Sequence, residues 1–280
     1  MAYKNILAYC NNAQLADRLF DVALRVAKQH DAHLTGLYIV PRPQLNSAAD
    51  EFVVAELIED QEKFFREQGD LIKSSFNKCR AKKSVKSDWL ELQSPSSFVR
   101  RTLLQQSRAA DLVIVNPADE DDDVSREHGL PENIFLDGGR PILIVPKKGK
   151  FAHVGERVLL AWNGSREATR AAFDALPILK KAKLTQVFEL TSETSADNSG
   201  YLSADEFITS LKRHGVRAET ASTRFNGQDV GEYLQKRAKR LKFDLIVMGG
   251  YGHSRITEFI LGGATRHILQ KTSVPILMSH

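Results

Sequence analysis

The chain is written twice. Lys4-Asn5-Ile6-Leu7-Ala8-Tyr9-Cys10-Asn11-Asn12 and Glu156-Arg157-Val158-Leu159-Leu160-Ala161-Trp162-Asn163-Gly164 both read as a buried-type strand ending at an asparagine. Helical apolar spacing follows each: Leu15, Leu19, Val22, Ala23 and Val26 in the first copy, and Ala168, Ala171, Ala172, Ala175 and Leu176 in the second. Second strands follow at Leu34–Val40 and Leu184–Leu190. Ala110–Val115 then matches Phe243–Met248, and Arg140–Val145 matches Val274–Ser279. The offset is about 152 at the start and about 133 later, so the first copy carries an insertion of about twenty residues, placed in a long helix over about Ala49–Ser84.

Such repetition fixes the architecture before composition is consulted. Continuous Val, Ile and Leu runs suit strands covered on both faces, as in a parallel sheet. Their alternation with helices predicts an α/β chain of two tandem doubly wound parallel-sheet domains, 1–150 and 151–280. At 280 residues the chain has room for both. The charged stretch Lys147-Lys148-Gly149-Lys150 is expected to link them, and the polar stretch Thr191–Tyr201 to be a loop.

Composition excludes several classes. No apolar run approaches the roughly 18–20 residues of a membrane span. The N-terminus has no signal-peptide pattern. Two cysteines, Cys10 and Cys79, are too few for a disulfide framework or a zinc cluster. A cytoplasmic protein with reduced thiols is expected. The net charge of +4 is spread along the chain without an aromatic–basic stripe, so no nucleic-acid partner is expected. No Walker Gly-Lys-Ser/Thr, nucleophile elbow or Gly-x-Gly-x-x-Gly is present.

In an open parallel sheet, ligands sit beyond the carboxyl ends of the strands where strand order reverses. In the second copy the candidate ends are Asn163-Gly164-Ser165 and Gly249-Gly250-Tyr251-Gly252. His253, Ser254 and Arg255 follow the latter, and Gly262-Gly263-Ala264-Thr265 opens the last helix. Glycines let backbone N–H groups approach an anion, and a helix N-terminus attracts negative charge. The stretch Gly249–Thr265 is therefore expected to cradle phosphate. In the first copy this place is taken by Asn116-Pro117-Ala118 and the acids Asp119–Asp123, with Gly129 aligned to the later glycine pair. That copy is expected not to hold a polyphosphate.

The segment DLIVMGGYGHSRITEFILGGATRHIL, closed by the strand PILMSH, resembles the universal stress protein family. Its hallmark is Gly-x-x-Gly, nine residues, then Gly with Ser or Thr. Gly249, Gly252 and Gly262 match, while Gly263 stands at the Ser/Thr position. Asn163 stands where ATP-binding members place an Asp. The resemblance implies Rossmann-like, adenine nucleotide alpha-hydrolase-like domains. It also implies ATP or AMP as ligand, with or without Mg²⁺, and slow hydrolysis or none. By position it implies Ala161, Trp162 and Asn163 around base and ribose, and Leu190 lining the adenine pocket. Met248, Gly249, Gly252, His253 and Ser254 would approach ribose and phosphate, and Gly262, Gly263, Ala264 and Thr265 would cradle the phosphates. Trp162 reads equally well as a packed aromatic at a strand end. Other readings are an interaction protein without nucleotide and a weak ATPase, although no convincing base or nucleophile is present. The tandem layout implies an internal pseudo-dimer through Ile142–Val145 and Ile276–Met278, with a homodimer and a further protein partner left open.

Overall fold

A computed structural model describes residues 2–42, 51–117, 132–192, 202–225, 229–250, 268 and 272–280. The chain separates into two compact units, Tyr3–Arg140 and Pro141–His280.

The first unit contains β1 (Asn5–Tyr9), α1 (Ala13–His30), β2 (His33–Arg42), α2 (Glu51–Arg80), β3 (Ser87–Pro95), α3 (Val99–Ser107), β4 (Leu112–Val115) and α4 (Glu132–Asp137). Its strands run β3-β2-β1-β4, all parallel. Strands β1, β2 and β4 are largely buried because helices cover the sheet: Ile6, Leu34, Leu37 and Leu112–Ile114 are at most 2% exposed. The edge strand β3 is mostly half-buried or exposed. Helix α1 starts where the Asn12 side chain accepts from the Gln14 N–H at 2.9 Å. It stops at Asp31 in the left-handed region, φ 49°.

The second unit contains β5 (Ile142–Ile144), β6 (Arg157–Trp162), α5 (Arg166–Asp174), α6 (Leu176–Leu179), β7 (Leu184–Ser192), α7 (Ala204–Arg213), β8 (Ala218–Phe225), α8 (Val230–Arg240), β9 (Leu245–Gly249) and β10 (Ile276–Ser279). Its strand order is β5-β10-β9-β6-β7-β8. All neighbours are parallel except β5, which runs antiparallel to β10 with Leu143 opposite Leu277. The Ile142–Ile144 strand ends the first repeat in sequence and lies in the second unit in space.

Alternation along β7 sets the two faces of this sheet. Phe188 stacks on Tyr233 of α8, and Gln186 accepts from the Arg237 guanidinium at 2.7 Å. The next residue, Glu189, faces α7 instead, where it accepts from Ala204 N–H at 3.4 Å. Helices α5 and α7 share that face, joined by Phe173 edge-on to Phe207. The unit is thus wound on both sides.

Corresponding aspartates hold each repeat together below its first strand. Asp111 accepts from the N–H groups of Lys4 and Asn5 at 2.7 and 2.9 Å. Asp244 accepts from Gly155, Glu156 and Arg157 at 2.8, 3.2 and 3.2 Å. Each carboxylate ties the start of its unit's fourth parallel segment to the start of the first.

Candidate functional site

Strand order in the second unit reverses between β6 and β9. From β6 the chain proceeds outward to β7 and β8, then crosses back to β9 on the other flank. The crevice beyond the carboxyl ends of these two strands is where an open parallel sheet takes its ligand.

The β6 side is built from a tight turn. The Asn163 side chain accepts from Ser165 N–H at 3.2 Å, Gly164 has φ 69°, and the Ser165 hydroxyl accepts from Ala168 N–H at 3.1 Å. Only a residue that tolerates the left-handed region fits at Gly164. Helix α5 therefore begins beside the carboxyl end of β6, with the Ala168 N–H taken by the Ser165 hydroxyl and the Thr169 N–H by the Ser165 carbonyl.

On the β9 side, Met248 is buried and Gly249 follows it. A Cβ on Gly249 would stand 2.3–2.6 Å from the carbonyl group of Glu167 and the nitrogen of Ala168. Glycine is required there by the close passage of α5's first turn. Gly250 N–H donates to the Ser279 carbonyl at 3.2 Å, carrying the chain past the end of β10.

Two residues at this rim were not anticipated from sequence. Glu167 is 9% exposed and pairs with Arg166 at 2.9 Å. Burial pushes its carboxyl up, but its own backbone N–H, Arg166 and Ser165 outweigh this and hold it below the ordinary carboxylate range. It brings negative charge to the helix start and bonds a donor an anion would otherwise use. Its signal was legible as an acid in the first turn after a Ser cap. The second is Ser279, whose buried hydroxyl has no hydrogen-bond partner among the described residues. No sequence signal marks it.

The remaining expected residues separate into three groups. Ala161 and Leu190 are half-buried, on β6 and β7. Trp162 is 3% exposed and its ring lies flat on Phe207, 3.8 Å between centroids and 7° between planes. Its N–H donates to the Leu202 carbonyl at 2.8 Å. The packed-aromatic reading describes its side chain, whose face is already taken. Gly252, His253, Ser254, Gly262, Gly263, Ala264 and Thr265 lie outside the described residues, as do Asp119–Asp123 and Gly129.

At the corresponding place in the first unit, between β1 and β4, stand Cys10 and Asn116. Their side chains are 4.0 Å apart. Burial pushes the Cys10 thiol up to about 12, against a hydrogen bond to the Asn12 carbonyl. Such a thiol stays protonated at neutral pH and is a poor nucleophile or metal ligand. Among the described residues no cluster of three His, Cys, Asp or Glu could hold a metal, and no helix is long and apolar enough to cross a membrane.

These features define a Rossmann-like, mostly parallel α/β fold with its candidate site at the strand-order reversal. Residues 155–280 match the model of the Universal stress protein family. A universal stress protein of Synechocystis sp. (strain ATCC 27184 / PCC 6803 / Kazusa) is 26% identical over 147 residues. These are 52% of this chain and 49% of that protein, so the chain spans about half the length of this curated relative. A universal stress protein structure from Archaeoglobus fulgidus DSM 4304 matches with a TM-score of 0.61 at 16% identity, over 98% of this chain and 97% of that one. A universal stress protein solved in complex with cAMP matches 53% of this chain and 100% of its own, at 17% identity and a TM-score of 0.33.

Proposed function

We propose that the second unit is a stress-response module that binds an adenine nucleotide, ATP or AMP, with little or no hydrolysis. The observation carrying this reading is the Gly249 approach. Strand β9 ends in a side-chain-free backbone pressed against the start of α5, at the strand-order reversal and at the mouth of the glycine-rich stretch. A nucleotide phosphate suits such a crevice, where close backbone N–H groups replace its hydration. Weak hydrolysis at most follows from Glu167, whose lowered carboxyl paired with Arg166 is a weak base. The ligand would lie along Asn163, Leu190 and Gly249, with the phosphates toward Gly252–Thr265. Mg²⁺, if used, would come with the phosphates.

A second reading keeps the fold and drops the nucleotide. It is favoured by Glu167, which places a carboxylate at the helix start where an anion would otherwise dock. In both readings the protein works in the cytoplasm. The repeats are read as domains 1–150 and 151–280 joined as an internal pseudo-dimer.

Two measurements separate the readings. The purified chain is denatured and the supernatant chromatographed for released adenine nucleotide. ATP and AMP are then titrated calorimetrically with and without Mg²⁺. Released nucleotide or saturable heat that Gly249→Ala removes supports binding. Neither released nucleotide nor heat at about millimolar ligand, a level near −4 kcal/mol, leaves the interaction reading.

A further inference from the structure

The long helix of the first unit carries a seam that the fold does not use. Helix α2 spans Glu51–Arg80, and one face of it is spent on the core. Ile72 and Phe76 are fully buried, and Gly69 sits where a Cβ would meet the Tyr38 ring at 2.7 Å. Tyr38 donates its hydroxyl to the Phe65 carbonyl at 2.8 Å, which pins the helix to β2. Beside that face lie Leu57, Phe64 and Leu71, which remain 60%, 55% and 56% exposed. They recur every seven residues, two turns, so they form one line, each about 10 Å from the next along the axis.

A single exposed leucine needs no explanation, but three large apolar side chains in register on one helix do. Asp60 and Glu67 lie three residues after Leu57 and Phe64, in the adjacent row of the helix. Both are exposed, and neither forms an ion pair with another described residue. Lys63 and Asp70 lie further out, leaving this flank acidic. Gln61 and Gln68 occupy the flank nearer the core and carry no charge.

This pattern selects its occupant. A second copy laid antiparallel about Phe64 would bring Asp60 and Glu67 of the two helices together, and like charges at such a contact oppose it. An anionic membrane surface is disfavoured by the same acids. An amphipathic helix with an apolar stripe flanked by Lys or Arg satisfies both parts of the seam. We infer that the Leu57–Phe64–Leu71 seam of α2 docks a basic amphipathic helix of a partner protein.

The test uses the full chain and labelled helical peptides of about 18 residues, five turns. One carries a Leu stripe flanked by Lys, one the same stripe flanked by Glu, and one the Lys composition scrambled so that no stripe forms. The Leu/Lys peptide is expected to bind with saturation, and the other two at least about tenfold more weakly. D60K/E67K is expected to reverse the preference between Lys and Glu peptides, and L57Q/F64Q/L71Q to abolish both. All five positions are exposed, and circular dichroism melting checks that the variants stay folded. Equal binding of scrambled and striped peptides, or unchanged preference in D60K/E67K, overturns the inference. So does a wild-type dimer that L57Q/F64Q/L71Q makes monomeric by light scattering, which assigns the seam to a second copy. Sedimentation with phosphatidylglycerol vesicles that the triple variant loses would assign it to lipid and overturn it equally.

Discussion

Gly249 and Glu167 approach so closely that the missing Cβ of one would stand 2.3 Å from the carbonyl carbon of the other. Both contacting groups are backbone, so no side-chain rotation relieves the clash. Gly249→Ala is expected to destabilise the protein by about 1–3 kcal/mol through overpacking, and to displace the start of α5. Gly215 is the comparison: its φ is +82° and no atom lies within 4 Å of its would-be Cβ, so Gly215→Ala carries only backbone strain. Urea denaturation of both variants checks this. A Gly249→Ala midpoint at or above that of Gly215→Ala would refute the close approach.

Asp244 accepts from three backbone N–H groups and Asp111 from two. Asp244→Ala is expected to cost about 1–3 kcal/mol, because its donors are part-buried. Asp111→Ala costs less, since water reaches Lys4 and Asn5. The Asp244 carboxyl also titrates unusually: burial raises it above the ordinary 3.8, and three backbone hydrogen bonds only partly offset this. The native state then holds a proton that the unfolded state has released, so this group's contribution falls as pH rises from the unfolded value through the raised one. The stability difference between wild type and Asp244→Asn should shrink across that rise. A difference that grows with pH would contradict the direction of the shift.

The Asp21–Lys83 pair predicts the opposite pH dependence. Burial pushes the Asp21 carboxyl up, but Lys83 and Arg25 outweigh it and the net shift is downward. Its contribution is present above the unfolded carboxylate value and is lost as pH falls through the lower folded value. Asp21's side chain is 40% exposed, so solvent screening keeps the effect below about 1 kcal/mol. Lys83→Met should lower stability at neutral pH and flatten the acid limb of a pH–stability curve. An unchanged limb means that the pair is fully screened.

Trp162 stacks on Phe207 and is hydrogen-bonded to Leu202, so its role is expected to be structural. Trp162→Ala should cost about 3–5 kcal/mol, and Trp162→Phe, which keeps a stacked ring, much less. A double-mutant cycle with Phe207→Leu should return a coupling of about 0.5–1.5 kcal/mol. If nucleotide binds, Trp162→Phe should leave its affinity within about twofold. A tenfold loss in a stably folded Trp162→Phe would mean that the indole meets the ligand after all.

The sequence by itself determined the two repeats, the parallel strands and the two strand ends that form the crevice. These are local properties: apolar runs, helical spacing and caps are written in consecutive residues. It also marked Gly249 as special, because glycine at a strand end is a local signal. It did not determine which residues those ends would meet. Glu167, Ser279 and the Phe207 partner of Trp162 come from α5, β10 and α7, and their proximity depends on strand order and helix placement. The same holds for Ile142–Ile144, contiguous with the first repeat yet hydrogen-bonded to β10, and for Leu57, Phe64 and Leu71. Their seven-residue spacing is a property of the sequence. Only the packing of α2 on β2 and α1 decided that this side of the helix would be left facing water.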